Sequence, residues 1–97
     1  MIRIAAQDDI LLLVERYAAQ GLPAIARRFA AAALTAIETA IETPAAGLPT
    51  TATRPDLAEL YTRPVKGFTD VMVYYLAGPD RPEIVRVLHT KRQIETI

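Results

Sequence analysis

Apolar positions along the chain change period as it runs from its first half to its last third. In the first twenty residues Ala6, Ile10, Leu13, Val14 and Tyr17 recur at steps of three and four, the spacing of a helix with one buried face. A helix is predicted from about Arg3, with Gly21 after Gln20 as its stop. Asp8 and Asp9 lie in its first half, where they suit the helix dipole. Ile2 and Ile4 alternate with Arg3, so a short strand at Met1 to Ile4 is the competing reading. Leu22-Pro23 restarts the chain, and Pro23 suits the first helical position. From there Ile25, Phe29, Ala33, Ile37, Ala40 and Ile41 form a second stripe, while Arg27, Arg28, Glu38 and Glu42 point elsewhere. Two helices joined by so few residues must be antiparallel neighbours. The run Ala30 to Ala33 lets their backbones approach closely.

Thr43-Pro44 ends the second helix, and Thr43 to Asp56, with three Pro, one Gly and four Thr, reads as a surface connection. Leu60 to Val65 is extended, with Tyr61, Arg63 and Val65 on one face, and Pro64 restricts it to an edge or a strand end. Lys66-Gly67 turns the chain, and Phe68 anchors the turn. Two apolar runs, Val71 to Leu76 and Ile84 to Leu88, then flank the turn-rich segment Ala77 to Pro82, which predicts an antiparallel hairpin. The first run has no polar position and so belongs inside the sheet. Tyr74 and Tyr75 point to opposite faces, so at least one packs in the core. Arg86 falls on the face shared with Ile84 and Leu88, its stem packed and its guanidinium reaching out or meeting a partner's carboxylate. The prediction is one α+β domain over residues 1–97. An N-terminal antiparallel helix hairpin covers a three-stranded antiparallel sheet, four-stranded if Met1 to Ile4 pairs, followed by a short C-terminal helical tail.

Composition narrows the chemistry. Hydrophobic residues make up 52% of the chain but aromatics only 6%, and seventeen positions are Ala, so the core is built of small side chains. Eleven basic and eleven acidic residues cancel, which removes the overall field of a phosphate-binding protein. The chain has no Cys, Ser or Asn and a single His, which excludes Ser-His-Asp catalysis and argues against a zinc site. No glycine pattern offers a phosphate cradle, so no cofactor is expected. No apolar run approaches the roughly 20 residues that span a bilayer, and no signal peptide is visible, so a cytoplasmic protein with no membrane partner is the default. After Leu88 come His89-Thr90-Lys91-Arg92-Gln93, three potential cations at the open end of the hairpin. They read either as a hydrogen-bonded strand end with a solvated turn or as a surface for a target.

Pro64-Val65-Lys66-Gly67-Phe68, the strand Val73-Tyr74-Tyr75, Glu83 to His89, and Lys91-Arg92-Gln93-Ile94-Glu95 together resemble the RelE/ParE superfamily of type II toxins. Ala26-Arg27-Arg28-Phe29 and the Pro-containing loop after it suit the same pattern. The closer likeness is to ParE, the plasmid-stabilisation branch. It implies a toxin that inhibits DNA gyrase by binding, neutralised in a hetero-oligomer by a cognate, ParD-like antitoxin. On that reading His89, Lys91, Arg92, Arg86, Arg63 and Lys66 are candidate target contacts, and Leu11, Leu12, Tyr17 and Tyr61 are candidate antitoxin contacts. The RelE branch cuts messenger RNA on the ribosome, and Lys91 and Arg92 sit where its cationic pair would lie. Against that alternative, Thr69 and Asp70 stand where the ribonuclease branch offers a basic residue, and Asp70 repels phosphate. An inactive relative serving as an interaction module is the third reading.

Overall fold

A computed structural model describes residues 2–49, 60–77 and 82–89. Helix α1 spans Ile4–Ala19 and α2 spans Pro23–Glu42. Their inner faces follow the predicted stripes. Ala6 and Leu13 are buried on α1, with Ile10, Val14 and Tyr17 packed beside them; Phe29, Ala33, Ile37 and Ala40 are buried on α2. The second stripe is rotated slightly from its prediction, because Ala26 and Ala36 are buried while Ile41 is exposed at the helix end. Gly21 adopts φ +76°, a left-handed conformation costly for a residue with a Cβ, and so permits the tight link into Pro23.

Among the described residues the sheet has four antiparallel strands in sequential order: β1 Leu48–Pro49, β2 Leu60–Val65, β3 Phe68–Ala77 and β4 Pro82–His89. The fourth strand comes from the segment expected to be only a connection, not from the N-terminus. Ile2 makes a single parallel bridge to Ile84 instead. A short 3-10 turn, Pro44–Ala46, leads into β1. It is tied down by the Tyr75 hydroxyl, which donates to the Pro44 carbonyl at 2.6 Å. Gly47 is required by close approach: a Cβ there would overlap that same hydroxyl and lie 3.0 Å from the Thr62 carbonyl oxygen. The Lys66-Gly67 turn between β2 and β3 places Gly67 at φ +86°.

Val71 to Leu76 of β3 has no exposed residue, as the apolar run predicted. Val71, Val73 and Tyr75 face the helices with Val65, Ile84 and Val87, while Tyr74 is buried on the other face with Leu60, Val85 and Leu88. A β-bulge alters β4: Tyr75 pairs with Ile84 but Tyr74 pairs with Arg86, which leaves Val85 as the extra residue. The expectation that Ile84, Arg86 and Leu88 share a face is therefore corrected. Ile84 joins the helix-facing core and Leu88 the opposite cluster, because one inserted residue reverses the alternation. The predicted C-terminal helical tail lies outside the described residues.

Candidate functional site

Arg86 and Asp9 form the best-defined polar constellation. Asp9 lies in the second turn of α1 and is 8% exposed. Its carboxylate accepts hydrogen bonds from Arg86 Nε at 2.7 Å and Nη2 at 2.8 Å, and from the Val87 N–H at 2.9 Å. A planar guanidinium fork and a carboxylate match in this bidentate way. The hydrogen bond to Asp9 is the largest cause lifting the Arg86 pKa above its already alkaline ordinary value; burial opposes it, and the charge of Asp9 adds to it. The Arg3 N–H donates to the Ile84 carbonyl at 3.0 Å, and the Arg3 side chain pairs with Glu83. The start of α1 thus seals the outer edge of β4, where unpaired backbone groups would otherwise invite another strand. The role of Asp9 is therefore this contact and not the helix dipole, which acts mainly within the first turn and finds no acidic residue there. Arg86 answers a carboxylate of its own chain, where the sequence left open a partner's.

Arg63 and Lys66 meet at a cleft of about 320 Å³ between α2 and the end of β2. Ala32, Thr35, Ala36 and Thr39 form the helical wall, and Arg63, Pro64 and Lys66 form the other. Arg63 is half-buried, and its Nε has no hydrogen-bond acceptor among the described residues. Lys66 is exposed in the turn.

His89 ends β4 opposite Val71 and lines a smaller pocket of about 220 Å³ with Tyr17, Gly67, Phe68 and Asp70. An imidazole and a carboxylate line the same pocket. Lys91 and Arg92 lie outside the described residues. The predicted target contacts therefore fall in separate places: Arg63 and Lys66 beside α2, Arg86 at the opposite edge of the sheet beside α1, and His89 at the end of β4.

The candidate antitoxin contacts divide by exposure. Leu11 and Leu12 are 59% and 42% exposed on the outer side of α1. Tyr17 instead packs in an aromatic cluster, 5.5 Å from the Phe29 ring and 5.7 Å from the Phe68 ring, and Tyr61 stacks on Tyr75 at 5.9 Å. Sequence reasoning missed Ile4, Leu34 and Ile41, which are exposed as well. The signal was available: Ile4 and Leu11, like Leu34 and Ile41, are spaced seven apart, two helical turns on one face.

A family model described as the ParE toxin of the type II toxin-antitoxin system parDE matches residues 2–94. No curated protein matches the chain.

Proposed function

The chain belongs to the ParE toxin family of type II toxin-antitoxin systems, and from that membership we propose that it inhibits DNA gyrase by binding and is neutralised by a cognate antitoxin. The single observation that carries this reading is the family match, which runs through residues 2–94. The surface supports the antitoxin half of it. Leu11 and Leu12 on α1, with Leu34 on α2, offer exposed apolar side chains of the kind that an amphipathic helix covers.

Binding, not catalysis, is favoured by charge. Cleavage of RNA needs cations where the phosphate gains negative charge. Asp70 shares the pocket of His89, the chain's net charge is zero, and Arg86 is committed to Asp9. The test uses purified protein in two assays. Inhibition of gyrase supercoiling, or accumulation of cleaved DNA complexes, is expected and should be reversed by the antitoxin. Ribosome-dependent cuts in messenger RNA in a translating extract would establish the ribonuclease reading in its place.

A further inference from the structure

We propose that the cleft between α2 and β2 receives an acidic side chain of the antitoxin, with Arg63 and Lys66 as its two cations, an inference that rests on the reading of the chain as an antitoxin-bound toxin. Arg63 stands between Tyr61 and Val65, both of which pack toward the helices, so its stem is drawn into the same layer. Its Nε is buried there without an acceptor among the described residues. Folded proteins seldom leave such a donor unmatched, because water has been given up and nothing has replaced it. Arg86 shows the satisfied case, with Nε and Nη2 both ending on Asp9.

Among the described residues, the walls of the cleft supply no carboxylate. Its helical side is Ala32, Thr35, Ala36 and Thr39, and the Thr39 hydroxyl donates to the Thr35 carbonyl at 2.9 Å. The missing element is therefore an acceptor with negative charge, which an arginine fork takes in bidentate fashion and a nearby lysine reinforces. Backbone geometry offers a route for it. β1 pairs with β2 only at Tyr61 and Thr62, so beyond them the outer edge of Arg63 to Val65 has no strand partner among the described residues. An extended segment passing along that edge would set alternate side chains toward the cleft. A volume of about 320 Å³ accommodates one such side chain and its backbone. Two cations in a chain of zero net charge do not make the extended positive track that a nucleic-acid backbone follows. The acceptor is accordingly a protein carboxylate.

The experiment measures the affinity of the cognate antitoxin for the full chain by calorimetry at low and high salt. Arg63→Met keeps the apolar stem and removes the guanidinium, and Lys66→Gln changes an exposed turn residue that the fold does not depend on. Each should weaken binding on the order of tenfold, with the difference from wild type shrinking at high salt. Arg63→Glu should bind better once a single Asp or Glu of the antitoxin is replaced by Arg. If the antitoxin binds wild type and both variants equally, the cleft is not a contact, and the toxin reading survives without it. If the antitoxin does not bind wild type at all, the inference and the reading beneath it both fall. Should Arg63→Met fail to fold, Lys66→Gln with its salt dependence still decides the matter.

Discussion

Two residues carry more of the structure than their size suggests. Asp9→Asn would leave Arg86 half-buried without its counter-charge and would weaken the cap on the Val87 N–H. A loss of about 2–3 kcal/mol is expected from breaking a largely buried pair on one side. Denaturant unfolding of this variant, beside the exposed Asp8→Asn, should show the loss only in the first. Because the Arg86 pKa is raised, its stabilisation is complete below the unfolded-state value and fades only as pH rises through the folded one, so the guanidinium gives no pH dependence near neutrality. Gly47→Ala should cost about 1–3 kcal/mol by overpacking against the Tyr75 hydroxyl. Adding Tyr75→Phe should recover part of that loss, since the nearest overlapping atom is gone while the ring carbon that bore it stays close, and a double-mutant cycle measures the coupling. Tyr74 titrates at the alkaline end. Burial raises its pKa, so the folded state keeps the proton longer than the unfolded one. Stability should fall as pH passes the ordinary phenol value of about 10. Tyr74→Phe should remove that part of the decline in a thermal melt series.

At the scale of elements, the outer leucines separate recognition from folding. Leu11→Lys with Leu12→Lys should shift stability by no more than about 0.5 kcal/mol, because neither side chain is buried. The same change should markedly weaken antitoxin binding in a pull-down or calorimetric titration. An unchanged affinity would move the antitoxin to another surface. The helices were legible from apolar steps of three and four, and the longer strands from extended or apolar runs bounded by turn residues. β1 was not, since two exposed residues including a proline carry no alternation, and what holds it lies farther along the chain: Thr62 donates to the Leu48 carbonyl, and Tyr75 fixes the turn before it at Pro44. The bulge in β4 was hidden by its own composition, as Ile84 to Leu88 read equally well with or without an inserted residue. Arg86 was expected to reach out or to meet a partner's carboxylate, and it meets one of its own chain instead. Asp9 could not be named as its partner, because 77 residues separate them and the helix already offered a local explanation for an acid.

For the whole molecule, zero net charge leaves recognition to local groups. If the sequence after β4 carries toxicity, Lys91→Glu with Arg92→Glu should relieve growth inhibition on expression while changing antitoxin affinity less. Full toxicity in that variant would show that the target contacts lie outside this stretch. The two edges of the sheet are meanwhile unlike each other: β1 covers only part of β2, whereas the first turns of α1 seal β4. That seal has a kinetic consequence. Joining Asp9 to Arg86 closes a loop of 77 residues, whereas the helix hairpin and the β2–β3 turn close short ones. Long-range closures come late on the folding path, so the clasp should be unformed in the transition state and should act on the rate of opening. Stopped-flow measurements on Asp9→Asn should then find refolding nearly unchanged and unfolding faster by a factor of about 30 to 160, the full equilibrium loss appearing in the lifetime of the folded state.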